Sequence, residues 1–219
     1  VRSAKQGNVS AQLNLGLMYD MGEGVTPDYK RAIKWYRLAA KQNNAQAQFN
    51  LGQLYESGER VAQDIKRAVK WYRLSANNGN ASAQLKLGTV LEKGWGVAKN
   101  HKKAIKWYKV AAKQGWGYAQ RRLGWIFRSG EQIREDMAES TKWYLMAAEK
   151  NDPTAEFYLG VDAKDDATKL KWLRRSVKHG GGNDAKKQLA KAERDIARKA
   201  AAKKTAEENA KPEVQLKNG

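Results

Sequence analysis

The residues of this chain that could perform chemistry are few and scattered. His101 and His179 are its two histidines, cysteine is absent, and no serine lies in a hydrolase nucleophile motif. The two histidines are far apart in the sequence. Without a thiolate or a nearby base, they predict neither a zinc site nor an activated nucleophile. We therefore expect two exposed histidines, no catalytic residue and no enzymatic activity.

Three aspartates form the one acidic group whose spacing could suggest calcium: Asp162, Asp165 and Asp166. The segment lacks the glycine and the terminal glutamate of an EF-hand loop, so it predicts a helix N-cap or a solvated turn instead. The glycines of 94–96 and 180–182 follow predicted helices and indicate turns, not phosphate loops. We expect no metal, no cofactor and no small-molecule substrate.

A fixed interval of 36 residues organises the elements that carry these side chains. Tryptophans recur at this interval at Trp35, Trp71, Trp107 and Trp143. Glycines recur at the same interval at Gly16, Gly52, Gly88, Gly124 and Gly160. Self-similarity of this length is typical of arrays of stacked supersecondary units.

Residues 44–79 illustrate one unit. Ala47, Leu51 and Leu54 recur at steps of three and four, which predicts an amphipathic first helix. After a glycine-containing break, Asp64 is a good N-cap for a second helix. The apolar stripe of that helix comprises Ile65, Ala68, Val69, Trp71, Tyr72 and Ala76. Neither helix can bury its stripe alone, so consecutive hairpins must stack.

Small and large residues are expected to interlock between the two helices of a unit. Gly52 lies inside the first helix, where glycine costs about 1 kcal/mol relative to alanine. We expect close approach of the second helix to offset that cost, with Trp and Tyr side chains filling the spaces between the helices. Five tryptophans at one equivalent position are predicted to fill the core: Trp35, Trp71, Trp107, Trp143 and Trp172.

These motifs resemble the Sel1-like repeat family, which is related to the tetratricopeptide repeat. The pattern A-Q-x-x-L-G-x-x-Y-x-x-G-x-G-V followed by D-x-x-x-A-x-x-W-Y-x-x-A-A-x-x-G covers about residues 8–180. The resemblance implies an all-α, right-handed α/α superhelical solenoid of about five 36-residue helical hairpins that acts as a protein-binding scaffold. Such arrays need polar terminal elements.

The repeat also sets the expected boundaries. The solenoid is predicted over residues 1–182, with units at about 8–43, 44–79, 80–115, 116–151 and a degenerate 152–180. A C-terminal capping helix is predicted over 183–204, with Leu189, Ala192 and Ile196 on one side. Residues 205–219 are expected to form a flexible tail.

The charge indicates what kind of partner to expect. The chain has 42 basic and 23 acidic residues, a formal charge of +19, which favours an acidic protein, nucleic acid or an anionic membrane surface. No apolar run has the length of a membrane span. The absence of cysteine leaves the compartment open. From the resemblance we expect the protein to be located in the periplasm or cell envelope, although no signal peptide is visible in the sequence. The alternative is a cytoplasmic location.

Departures from the repeat identify candidate partner-binding residues. Trp95, Trp116 and Trp125 stand where other units carry small or polar residues. Tyr118, Arg122 and Trp125 fall at steps of four and three, which places them on a common face of one predicted helix, with Arg121 and Arg128 flanking. Aromatic and arginine side chains together are typical of interface hot spots. The alternative is that Trp125 packs against a neighbouring repeat. In the resembling family first helices line the concave surface, which implies further contacts at Asn50, Gln53, Lys86 and Thr89.

These observations favour a non-catalytic protein-binding protein of the bacterial envelope. The resemblance suggests one concrete role, an immunity protein that neutralises a phospholipase effector delivered by type VI secretion. An envelope assembly or signalling scaffold is the alternative in the same class. A binder of nucleic acid or anionic lipid is a further alternative, although the chain lacks a recognised nucleic-acid motif.

Overall fold

The computed structural model describes residues 1–131 and 133–209, and all regular structure in those residues is α-helical. Twelve helices follow one another in this part of the chain. They are α1 (Arg2–Lys5), α2 (Val9–Met21), α3 (Tyr29–Lys41), α4 (Ala45–Ser57), α5 (Ile65–Asn77), α6 (Ala81–Lys93), α7 (His101–Lys113), α8 (Gly117–Ser129), α9 (Met137–Ala148), α10 (Pro153–Asp162), α11 (Asp166–Lys178) and α12 (Gly182–Asn209). Consecutive helices from α1 to α7 pack together, as do those from α9 to α12, which is typical of a solenoid of repeats.

The chain divides into two compact units, with the division inside α8. The first unit is Val1–Leu123 and the second begins at Gly124. The first unit contains three helical hairpins: α2 with α3, α4 with α5, and α6 with α7. The second unit contains α9, the hairpin of α10 with α11, and α12.

Short polar side chains begin the helices of the first unit. Asn44 accepts a hydrogen bond from the Ala47 amide at 2.8 Å, and Asp64 accepts one from the Arg67 amide at 2.8 Å. Each satisfies an amide that has no partner within its helix. First helices end in left-handed glycines, such as Gly58 with φ of 69°. The predicted hairpin and its Asp64 cap are therefore confirmed.

A tyrosine packs against the glycine inside the first helices α2, α4, α6 and α8, whereas Leu173 takes that place against Gly160 of α10. A Cβ atom on Gly52 would lie 2.5 Å from the Tyr72 ring, and the same close approach joins Gly88 to Tyr108. The expected close approach is confirmed, and tyrosine is one of the two large side chains expected there. The expectation that the repeat tryptophans form the core was wrong for four of the five. The fully buried aromatic residues are Tyr36, Tyr72, Tyr108 and Tyr144, whereas Trp35, Trp71, Trp107 and Trp172 are only partly buried. Trp143 is the repeat tryptophan that is buried.

Buried glutamines join consecutive hairpins of the first unit. The Gln48 amide donates to the Ala40 carbonyl at 3.0 Å, and its oxygen accepts from Asn78 at 2.9 Å. Gln84 repeats both contacts, with Ala76 and Gln114. Because each amide donates and accepts at once, it fixes the register of three helices while leaving no unpaired group.

The second unit replaces this glutamine with a buried acid. Glu156 of α10 is fully buried and pairs with Arg175 at 2.9 Å and with His179 at 2.8 Å, both of α11. The expectation of two exposed histidines was therefore wrong. His179 is partly buried against the Glu156 carboxylate, and His101 is partly buried at the start of α7.

Glu156→Gln should lower the free energy of unfolding only modestly, by about 1–2 kcal/mol. Glutamine fits the same position as Gln48, and Arg175 keeps its hydrogen bonds to the Ala148 carbonyl and the Asn151 side chain. Urea denaturation followed by circular dichroism measures the change. Glu156→Leu is the matched comparison, and it should be the more destabilising change because Leu offers His179 no acceptor.

The three aspartates of the second unit stabilise helices. Asp165 is the N-cap of α11 and accepts from the Thr168 amide at 2.8 Å, a bond that lowers the pKa of this carboxyl. Asp162 pairs with Arg128 and Asp166 pairs with Lys199. The predicted N-cap is confirmed.

The last helix runs beyond the expected capping segment. α12 spans Gly182–Asn209 and packs against α11, with Ala185 and Ala192 buried. Residues 205–209 are thus helical, where a flexible tail was expected. Lys203 and Lys204 face Glu207 and Glu208 at the i,i+4 spacing that supports an exposed helix. The remainder of the expected tail, 210–219, lies outside the described residues.

Candidate functional site

Three aromatic side chains are exposed in the described part of the chain, and all three are in the first unit. Trp95 is 53% exposed, Trp116 38% and Tyr118 46%. All three were candidates from the sequence, Trp95 and Trp116 because they depart from the repeat and Tyr118 because it shares a predicted helix with Trp125. Large aromatic surfaces left in water are the groups that gain most when a partner covers them.

Trp116 occupies the N-cap position of α8. The residues at this position in the preceding first helices are Asn8, Asn44 and Asn80, and each accepts a hydrogen bond from a helix amide. Tryptophan has a donor and no acceptor in its side chain, so it cannot replace that bond. Helix α8 therefore lacks a side-chain N-cap, which would stabilise it by about 1 kcal/mol, at the position where the indole is exposed.

The first turns of α8 carry two further departures. Tyr118 replaces the serine of α6, Ser82, and Arg121 replaces the apolar Leu85. The Arg121 guanidinium lies over the Tyr118 ring, 5.4 Å from its centroid. We call Trp116, Tyr118 and Arg121 the Trp116 cluster. It combines two exposed rings with a cation, the composition of interface hot spots.

Arg122 is held beside this cluster by Glu92 of α6. Its Nε lies 3.1 Å from one carboxylate oxygen and 3.2 Å from the other, and its terminal nitrogen also contacts the carboxylate. Burial acts to lower the pKa of Arg122, but the hydrogen bonds and charge of Glu92 outweigh it and raise that pKa. Glu92 also accepts from the Tyr108 hydroxyl at 2.8 Å.

The same arrangement recurs one repeat earlier. Glu56 accepts from the Tyr72 hydroxyl at 2.7 Å and pairs with Lys86 at 2.8 Å. Lys86 and Arg122 were candidates for partner binding, and the structure gives both a role inside the unit. Each joins its own first helix to the preceding one. The sequence could have shown this role, because acid and cation recur together at a spacing of 30 residues.

Three other candidates for partner binding are on first helices of the first unit: Asn50, Gln53 and Thr89. Asn50 is buried and accepts from Gln46 at 2.7 Å. Gln53 is exposed and, with Asn50, lines a cavity of about 270 Å³. The Thr89 hydroxyl bonds the Leu85 carbonyl and lies 3.3 Å from the Tyr108 hydroxyl. Of these, Gln53 is the side chain presented to solvent.

The two candidates in the second unit are engaged there. Trp125 is partly buried and packs against a core cluster of Tyr144, Ala147, Ala148, Ala155 and Leu159. Trp125 therefore packs within the array, as the alternative to partner binding predicted. Arg128 makes two hydrogen bonds of 2.8 Å to Asp162 and lies over the Tyr158 ring. We keep both residues outside the Trp116 cluster.

Trp95 also lies apart from the cluster. It follows α6, whereas Trp116 precedes α8, so the two tryptophans are at opposite ends of the first helices. A 13-residue helix separates such ends by about 20 Å. Trp95 lines its own apolar cleft of about 200 Å³ with Ile65, Val69 and Val90. The predicted residues thus form two separate exposed features, not one face.

Trp116→Asn should be more stable than Trp116→Ala by about 1 kcal/mol. Both changes lose the burial of the indole, but asparagine restores the cap that Asn80 provides in α6. Urea midpoints measured for the two variants side by side check this difference. Equal midpoints would show that α8 gains nothing from a side-chain cap.

Four consecutive segments match the Sel1 repeat: residues 9–44, 45–80, 81–116 and 117–152. The chain belongs to the Sel1 repeat family. Repeat proteins of this kind are generally non-catalytic scaffolds that bind other proteins. The α10–α11 hairpin falls outside the matched segments, and its interhelical connection is short.

Several solved structures are similar to this one. A Sel1 repeat protein from Oxalobacter formigenes is 36% identical with a TM-score of 0.74, covering 80% of this chain and 75% of that one. The c5321 protective antigen of uropathogenic Escherichia coli is 29% identical with a TM-score of 0.75 over 90% of this chain, which spans 47% of that protein. The immunity protein Pa5087 of Pseudomonas aeruginosa is 19% identical, with a TM-score of 0.46 over 81% of this chain and 71% of that one. A search of curated proteins found no match.

The side chains and helices of residues 1–131 and 133–209 also bear on metal binding and membrane insertion. No group of three or more histidine or acidic side chains there is arranged to hold a metal ion. None of the helices there has both the length and the apolar character that crossing a bilayer requires.

Proposed function

We propose that this Sel1 repeat protein binds one acidic partner protein through the Trp116 cluster. The observation that carries the proposal is the exposed indole at an N-cap position. Local stability favours asparagine there, as Asn44 and Asn80 show. A residue that breaks a local rule without an evident structural gain is typical of a functional site.

The surroundings of Trp116 support a protein partner. Tyr118 adds a second exposed ring, and Arg121 adds a positive charge on the same helix. Aromatic rings supply contact area at low entropic cost, and cations beside them favour carboxylates. The formal charge of +19 suits attraction of an acidic partner over distance.

The specific role that we propose is that of an immunity protein in the bacterial periplasm. In this role the chain would bind a phospholipase effector delivered by type VI secretion and block it. An envelope assembly or signalling scaffold is the alternative role of the same surface. The two roles differ in the partner: a single enzyme that loses activity, or a set of non-catalytic proteins.

The test uses a variant that returns α8 to the residues of α6. Trp116→Asn, Tyr118→Ser and Arg121→Leu together install the equivalents of Asn80, Ser82 and Leu85. The variant should fold, because these residues already function in the same repeat position. Leu145→Ala is the matched control, since it removes an apolar side chain that is 41% exposed in α9.

Affinity capture from the source organism should recover one protein in equal stoichiometry with the wild type and with Leu145→Ala. The triple variant Trp116→Asn, Tyr118→Ser, Arg121→Leu should bind that protein with an affinity at least about 100-fold lower, because losing one or two hot-spot residues has an effect of this size. Inhibition of that protein's phospholipase activity supports the immunity role. Recovery of several non-catalytic proteins supports the scaffold. Undiminished capture by the variant would remove the Trp116 cluster from the site.

A further inference from the structure

The positive charge of the first unit is concentrated on its second helices. α3, α5 and α7 together carry 14 lysines and arginines and no acidic residue. The first helices α2, α4 and α6 instead contain Asp20, Glu56 and Glu92 among few charges. The excess charge is therefore sorted between the two kinds of helix and not distributed evenly.

Most of these cations form one stripe along each second helix. In α3 the stripe is Lys30, Lys34, Arg37 and Lys41, at steps of four, three and four, which places them on a common face. All four are exposed. The equivalent residues of α5 and α7 are also basic, except that Asn77 replaces the last one in α5. We call these three rows the basic stripe.

The stripe opposes the local stability of its helices. Like charges at i,i+4 are destabilising by about as much as an ion pair stabilises, and these helices contain no acid to alternate with the cations. The N-caps Asp28 and Asp64 pair with Arg31 and Arg67, which lie beside the stripe. A repulsive pattern repeated in three hairpins indicates a surface that is stabilised when it meets an anionic one.

We propose that the basic stripe docks on the surface of an anionic phospholipid membrane. The same cations recur at the same helical positions in each hairpin, so they match a laterally repeating array of phosphates better than a unique patch on a protein. Leu74 and Val110 are 46% and 41% exposed at equivalent positions next to the stripe. Apolar side chains beside lysines are typical of helices that rest in the headgroup region.

Nucleic acid is the other repeating polyanion, and the stripe is less suited to it. Single-stranded nucleic acid is bound with aromatic side chains that stack on bases. The exposed aromatic residues of the described chain, Trp95, Trp116 and Tyr118, lie outside α3, α5 and α7. The aliphatic Leu74 and Val110 flank the stripe instead, where a bilayer interface can receive them.

The experiment measures binding of the full chain to vesicles of phosphatidylglycerol mixed with phosphatidylcholine, and to phosphatidylcholine alone, by co-sedimentation. The stripe variant combines Lys34→Glu, Lys70→Glu and Lys106→Glu. Its helices should be at least as stable as those of the wild type, because each glutamate gains lysine or arginine neighbours. The control variant combines Lys186→Glu, Lys187→Glu and Lys191→Glu, which changes the net charge equally on the exposed face of α12.

Wild type should bind the phosphatidylglycerol vesicles and not the phosphatidylcholine vesicles. The stripe variant should lose at least about 100-fold in partition coefficient, since each basic residue near the surface contributes about fivefold. The control variant should lose less than about fivefold. Equal losses in both variants, no binding to phosphatidylglycerol, or stripe-dependent binding to duplex DNA without vesicle binding would each overturn the proposal. Trp116→Asn should leave vesicle binding unchanged, so this result is separate from that of the proposed protein partner.

Discussion

Glu92→Ala is expected to lower the free energy of unfolding by about 3–5 kcal/mol, the cost of removing one partner from a buried ion pair. The Glu92 side chain is 4% exposed and that of Arg122 is 24% exposed. Without the carboxylate, the Arg122 guanidinium remains partly desolvated and the Tyr108 hydroxyl loses its acceptor. Burial raises the pKa of Tyr108, so its hydroxyl stays a donor that needs a partner. Urea denaturation followed by circular dichroism measures the loss.

The repeat provides a matched control for this result. Glu56→Ala removes the equivalent acid, but Lys86 and Glu56 are 39% and 26% exposed, so water replaces part of the lost interaction. Glu56→Ala should lower the free energy of unfolding by about 1 kcal/mol through loss of the ion pair, and by about another 1 kcal/mol through loss of the Tyr72 hydrogen bond. Replacing Glu92 and Arg122 together by leucine should restore much of the stability. A double variant as unstable as Glu92→Ala would contradict this account of the pair.

The second large effect is expected for Gly88→Ala, which should lower the free energy of unfolding by about 2–3 kcal/mol. Alanine normally stabilises a helix interior relative to glycine by about 1 kcal/mol, so the sign is reversed here. A Cβ atom on Gly88 would lie 2.7 Å from two carbons of the Tyr108 ring. The ring cannot move aside easily, because it is fully buried and its hydroxyl bonds Glu92.

A double-mutant cycle with Tyr108→Ala tests the cause of that loss. Without the ring, the additional cost of Gly88→Ala should fall by more than half, as expected for residues in direct contact. Additive effects of the two substitutions, or a Gly88→Ala variant more stable than wild type, would show that the ring contact is not the cause.

The sequence by itself determined the architecture and its local chemistry. The 36-residue period, the three- and four-residue apolar steps and caps such as Asp64 follow from interactions between neighbours in the chain. The exposure of Trp95 and Trp116 was also predictable, because each departs from what its repeat position requires. A side chain that fits neither the core nor the helix cap of its repeat position is expected to lie on the surface.

Which aromatic residue fills the core was decided only by tertiary structure. Trp71 and Tyr72 are adjacent in the sequence and both lie near the apolar stripe of α5. They differ by about 100° around the helix, and the direction of Gly52 in the preceding helix selects the tyrosine. The rotation of one helix against another depends on packing between them, which a pattern within one helix does not contain.

The division of the predicted binding residues was decided in the same way. Periodicity placed Tyr118, Arg122 and Trp125 on one face of α8, but Arg122 is held by Glu92 and Trp125 packs against the core of the second unit. Helical spacing fixes the direction of a side chain relative to its own axis. Residues distant in the sequence decide whether a side chain meets water, an acid from another repeat or a hydrophobic core. Only the folded chain therefore determined that the Trp116 cluster is exposed while Arg122 and Trp125 are engaged.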